Sequence, residues 1–274
     1  KGEWLSGSLD RPMNLAWGSA PPGFRESRFT LKLARFQLAE WQALLGSNAP
    51  AGMLRADLMV SSERDGRLLK YDLKAMASQL SAAVGTSRFR DGTFEFSGNG
   101  SITDFNVFAL SQSAFAIRQG NTQLTAGSAV VDWQVKAESG GVQVSAEGEL
   151  PPLLGLFPVA GVQSEAGRFK ASVQANQSPS RSSANVSLNL DGFLGRIQQS
   201  RLADYRSTIK LSATRIADVV SIPSFTLSAG SGTAPGGTID ASGKWDTSKQ
   251  NGEFDYHIAS LNQSALDPWL APLL

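Results

Sequence analysis

Apolar residues fall at every second position over most of this chain. Leu54, Ala56, Leu58 and Val60 alternate with Arg55, Asp57 and Met59. Leu69, Tyr71, Leu73 and Ala75 alternate with Lys70, Asp72 and Lys74, and Phe94 and Phe96 flank Glu95. Val131, Trp133, Val135 and Ala137 alternate with Asp132, Gln134 and Lys136. The pattern returns at 142–146, 169–175, 186–190, 209–211, 225–229, 239–245 and 254–258. A period of two with one apolar and one solvated face predicts antiparallel strands, about a dozen of them. Asp65-Gly66, Gly140-Gly141 and Asn251-Gly252 stand between alternating runs and predict tight hairpin turns. Residues 174–185 and 228–238 are rich in Ser, Gly and Pro and predict long exposed hairpin loops.

Three segments break the alternation. Leu38, Trp41, Leu44 and Leu45 follow helical spacing for two turns, and Leu266, Trp269 and Leu273 do the same with Pro268 suited to a first helical turn. Leu153, Leu156 and Phe157 lie in the third, PPLLGLFPVAG. Together they expose a repeat. A shift of 115 places Gly46 on Gly161, Gly52 on Gly167, Leu54–Val60 on Phe169–Ala175 and Leu69–Ala75 on Ala184–Leu190. At 114, Ile102-Thr103-Asp104 meets Ile216-Ala217-Asp218, and Trp41 to Trp269 is 228, twice 114. Val131-Asp132 meets Ile239-Asp240 at 108. The expected organisation is one elongated segment over 1–274, with repeat units at 36–147 and 148–259 and partial units at both ends. A start at Lys1 and a stop at Leu274 within an apolar segment lead us to expect a processed or excised piece of a longer protein.

Composition narrows the chemistry. Lys plus Arg is 25 and Asp plus Glu is 24, so the chain lacks the field that holds a nucleic-acid backbone. With no cysteine and one histidine, thiolate sites and His-rich metal centres are excluded, and imidazole catalysis would rest on His257 alone. His257 falls on the polar side of its strand, with no G-x-S-x-G turn to serve it. The Gly-rich stretch 230–237 lacks the Lys and following helix of a phosphate loop. Asp104, Asp132, Asp218 and Asp240 recur between repeats, which favours a structural role over a catalytic carboxylate pair. Trp41 and Trp269 share a helical stripe with leucines and read as packing anchors. No catalytic residue, metal ligand or cofactor is expected.

A sheet with one apolar face must cover it. No long amphipathic helix is available, so either a second sheet closes a sandwich or the sheet curves around a guest. Tandem units suit a sheet that grows lengthwise, with an apolar trough on its inner wall. The candidate lining residues are Leu54, Leu58, Leu69, Tyr71, Leu73, Phe94, Phe96, Val131, Trp133, Val135, Phe169, Val173, Val186, Leu188, Ile209 and Leu211. A structural or adhesive β-sandwich repeat is the other reading, and a carbohydrate-active enzyme or lectin rests only on scattered Trp and Asp.

The periodic strands, the L-x-x-W-x-x-LL segment followed by Gly, and phrases such as GNGSITDF and TAGSAVVDW resemble the AsmA/TamB-like proteins of Gram-negative envelopes, in the class of repeating β-groove lipid transfer proteins. The resemblance runs from about residue 24 to the end. It implies an all-β, elongated, taco-shaped antiparallel sheet with one short helix per repeat. It also implies a periplasmic location, an inner-membrane anchor outside this segment and an outer-membrane partner. The implied activity is non-enzymatic movement of phospholipid, its acyl chains sliding along the groove; TamB-like members are also linked to outer-membrane protein assembly.

Overall fold

The computed structural model describes residues 4–11, 26–41, 51–84, 87–198, 200–232, 234–260 and 262. Residue contacts divide the chain into two units, 1–140 and 141–274. The division falls in the strand after Trp133, not at 147/148 where the sequence repeat was cut.

Unit 1 is an antiparallel meander of β1 (Leu5–Leu9), β2 (Ser27–Gln37), β3 (Ala51–Glu63), β4 (Leu68–Val84), β5 (Ser87–Thr103), β6 (Val107–Gln119) and β7 (Thr122–Gln134). A 3-10 turn at Leu38–Trp41 follows β2. The rest of the predicted 38–45 helix lies outside the described residues. Unit 2 contains β8 (Ser139–Glu149), the helix α1 (Leu150–Leu156), β9 (Val162–Gln177), β10 (Arg181–Ile197), β11 (Ser200–Ile216), β12 (Val219–Ser231), β13 (Ala234–Asp246) and β14 (Asn251–Ala259). Its strands also lie in the sheet in chain order. α1 is the only α-helix among the described residues; Pro151 and Pro152 open it, where a missing N–H is harmless. The predicted 266–273 helix lies outside the described residues.

The sequence register survives in the coordinates with a tighter spacing. β4 and β10 are both 17 residues long and start 113 apart, as do β5 and β11; β6 and β12, β7 and β13, and β2 and β8 start 112 apart. Left-handed backbone positions recur on the same spacing. Gln79 (φ 53°) matches Gly192 (φ 61°), Asp91 (φ 53°) matches Asp204 (φ 49°), and Gly120 (φ 55°) matches Gly232 (φ 59°). Gln79 and Gly192 each sit where the pairing slips, so both units place a bulge at the same point of the same strand. Bulges of this kind bend a strand and strengthen its local twist.

Three local expectations change. The stretches 174–185 and 228–238 are strand for most of their length, joined by turns of a few residues around Ser178–Ser180 and Gly232. Gln174, Asn176, Ser183 and Asn185 occupy outward positions while Ala175 and Ala184 pair on the apolar side. Gly140-Gly141 and Asn251-Gly252 are not turns but the first residues of β8 and β14. Gly140 lies under Trp133 and Gly252 under Trp245: a Cβ on either would approach the indole Cε3 to 2.7 and 2.8 Å. The glycines admit both the backbone, where a Cβ would first meet the Asp132 or Lys244 carbonyl oxygen, and the tryptophan beside it; this pair aligns at 112, so the 108-residue match of Val131 to Ile239 gives way to Trp133 on Trp245.

Candidate functional site

Register fixes which side chains share a face, because residues directly opposite in an antiparallel ladder point the same way. In unit 1 one such row runs Phe29–Val60–Tyr71–Gly100–Leu110–Val131 across six strands. Parallel rows run Leu31–Leu58–Leu73–Gly98 and Phe36–Leu54–Ala77–Phe94–Ile117. Another joins Leu69, Ile102, Phe108 and Trp133. Nine of the sixteen candidate residues, Leu54, Leu58, Leu69, Tyr71, Leu73, Phe94, Phe96, Val131 and Trp133, therefore stand on one face. Val135 does not share their strand: it lies in the turn after β7 and is 55% exposed.

In unit 2 the row Ala171–Leu188–Ile209–Leu227–Ile239–Ile258 is apolar across six strands. Beside it runs Val173–Val186–Leu211–Phe225–Ala241–Tyr256. Phe169 pairs with Leu190 on the same face. The six remaining candidates, Phe169, Val173, Val186, Leu188, Ile209 and Leu211, thus share the face of unit 2. Sequence reasoning missed Phe225, Leu227, Ile239 and Ile258, which complete the rows, and Phe254, which stands on the same face opposite Gly243; their alternation was read, and only the cross-strand register shows that they join the others.

The opposite faces are polar. Lys32–Asp57–Lys74–Ser97 crosses unit 1, and Ser172–Ser187–Lys210–Thr226–Asp240–His257 crosses unit 2. His257 lies with Asp240 and Asp255 beside an open depression of about 350 Å³. Among the described residues no group of three or more His, Asp and Glu can hold a metal ion. Nor is any described helix long and apolar enough to cross a membrane. Asp104 and Ala217 hold equivalent turns, whereas Asp132 is equivalent to Lys244, so the recurring aspartates are coincidences of register.

The apolar faces are not packed as cores. Only eight described apolar residues are buried: Leu69, Ala77, Leu124, Leu156, Phe193, Leu202, Tyr205 and Leu227. Phe193, Leu202 and Tyr205 form the one buried cluster, in unit 2, with Leu150 of α1, Val162, Leu190, Ile197 and Ala229 packed against it. α1 so closes one strand-end of the face. Elsewhere large apolar side chains of the rows stay open: Phe108 38%, Val173 39%, Phe254 53% and Tyr256 75% exposed. Large apolar side chains left open on one face of a sheet mark a surface that something binds.

Tyr71 brings a phenol hydroxyl into the face of unit 1, where the buried Ser27 and Ser62 also stand, in the row of Leu69. Its hydroxyl donates to the Ala109 carbonyl at 2.8 Å, and its ring stacks on Phe108 with centroids 5.9 Å apart. Burial raises its pKa above the ordinary phenol value. Gly100 makes this possible, since a Cβ there would overlap both the Tyr71 hydroxyl and the Ala109 oxygen. Gly100→Ala is expected to break the hydrogen bond and cost about 2 kcal/mol, read as a lower urea midpoint at unchanged m-value.

Comparison with protein-family models, curated proteins and solved structures finds no match to this chain.

Proposed function

We propose that the apolar faces hold lipid acyl chains and that the protein moves phospholipid between inner and outer membranes without chemical conversion. The observation that carries this reading is the register: unbroken apolar rows cross six strands while no described layer of protein buries them. Six strands at ~4.8 Å spacing give a row about 24 Å long, the scale of a fatty tail. Each CH₂ removed from water contributes about 0.8 kcal/mol. That gain is similar at Leu188, Ile209 or Ile239, which keep part of their surface open, so a tail can slide along a row at small net cost. Headgroups stay hydrated at the strand ends, where the hairpins carry Arg and Lys.

Organic extraction of protein purified without detergent, followed by mass spectrometry, tests the reading. Phospholipid in near-stoichiometric amount is expected. Protein that stays folded and monodisperse yet repeatedly yields none would favour an envelope scaffold instead. The periplasmic setting, the inner-membrane anchor and an outer-membrane partner are part of the same proposal. Fractionation of cells producing the full-length protein checks them.

A further inference from the structure

We infer that Arg215 holds the phosphate of a phospholipid headgroup at the margin of the apolar face of unit 2, with the tails lying on that same face beside it. The inference rests on the lipid reading above and adds to it which residue takes the headgroup.

Arg215 is the residue before the last of β11, in a row that crosses six strands: Gln177–Ser182–Arg215–Val220–Trp245–Gly252. The pairing of β10 with β11 runs without a slip from Leu188–Ile209 through Val186–Leu211 and Ala184–Ala213 to Ser182–Arg215. Alternation therefore puts Arg215 on the same side as those apolar pairs. In unit 1 the equivalent row is Leu69–Ile102–Phe108–Trp133. Ile102 holds the place of Arg215 there, each one residue before its strand ends, and Leu69 holds that of Ser182. One unit thus carries an aliphatic side chain at a point of the face where the other carries a cation.

The guanidinium is oriented and has no counter-ion. Its Nε donates to the Ala217 carbonyl at 3.0 Å, which leaves the two terminal nitrogens to donate outward. The side chain is exposed, and its ladder neighbours Ser182 and Val220 are neutral. Among the described residues Arg215 makes no ion pair; Asp218, in the turn that follows, makes none either, and Asp246 pairs with Lys249. Two parallel N–H donors from one guanidinium match a phosphate oxyanion. The apolar surface beside it is open. Ala184, Ala213 and Gly243 lie one row inward, and their small size leaves a shallow floor between Arg215 and the larger Val186, Leu211 and Phe225. On the neighbouring strands Trp245 is 39% and Phe254 53% exposed. The buried cluster that meets α1 is at the other end of β11, with Leu202 and Tyr205.

The test compares two ligands with the same tails, dioctanoylphosphatidic acid and dioctanoylglycerol, below their aggregation concentrations, by displacement of an apolar fluorophore. Wild-type protein is expected to bind both and to prefer the phospholipid by about tenfold. Arg215→Ile, which installs the residue of unit 1, is expected to bring the two to parity while affinity for dioctanoylglycerol is unchanged. Lys210→Gln removes a positive charge from the polar side of the same strand, opposite Ser187, and should keep the preference. A preference that survives Arg215→Ile, or that Lys210→Gln abolishes equally, overturns the site. Wild-type protein that binds neither ligand overturns the lipid reading itself, and the site with it. Equal binding of the two by the wild type overturns the headgroup assignment alone; if inorganic phosphate then shifts the Arg215 Nε resonance, the guanidinium holds free phosphate instead.

Discussion

Phe193→Ala lowers the stability of unit 2 by about 4 kcal/mol, the largest loss expected from any single truncation in this protein. Phe193 is 2% exposed and Tyr205, directly opposite it, is 0% exposed. They anchor the one buried cluster among the described residues, so no described neighbouring core can collapse into the cavity. Leu150, Val162 and Ile197 pack against the cluster that Phe193 forms with Leu202 and Tyr205, and that packing would loosen. The loss should appear as a lower urea midpoint and as early exchange of the amides of α1, β10 and β11. A loss under about 1 kcal/mol would mean that the cluster is not what holds α1 to the sheet. An equivalent truncation outside the cluster, Val173→Ala, is expected to cost little, because Val173 is 39% exposed.

Val173→Asp should instead abolish lipid binding while leaving the fold intact. Val173 lies between Ala171 and Ala175 on the apolar side and is directly opposite Val186. A carboxylate there either stays ionised against a tail or takes up a proton, and each option costs on the order of 2–4 kcal/mol per contact. Lipid recovery or transfer should fall at least about tenfold. Leu58→Asp should do the same in unit 1, where Leu58 is directly opposite Leu31 and Leu73. The control is the adjacent residue: Ser172→Asp, on the polar side opposite Ser187, should leave lipid recovery unchanged. Equal loss from Val173→Asp and Ser172→Asp would show that charge anywhere on the strand disrupts binding, and would remove the argument for a lipid-bearing side.

The alternation made the strands and their two faces legible, since burial on one side of an antiparallel sheet leaves a period of two whatever the neighbours are. Where the chain turns was less legible. Gly140-Gly141 carries the signature of a tight turn, yet Gly140 serves the indole of Trp133. A dipeptide does not say whether its missing Cβ frees the backbone or admits a ring. Residues 174–185 read as loop because Ser, Asn and Gln dominate, but on a solvated face these side chains are what strand positions carry. The repeat was visible in sequence and its exact spacing was not. A shift of 108 satisfied the apolar alternation at Val131 as well as 112 did, because a period of two accepts any even offset. The Trp133 and Trp245 pairing with their glycines breaks that degeneracy.

Six strands make up each period, and six is even. A copy spliced in after any period would therefore open with a strand running in the same direction as the first strand of the period before it. An odd number would reverse that direction at every second copy. Lengthening by gene duplication is thus open to this architecture without a single compensating substitution, which makes reach a property that selection can adjust in whole steps.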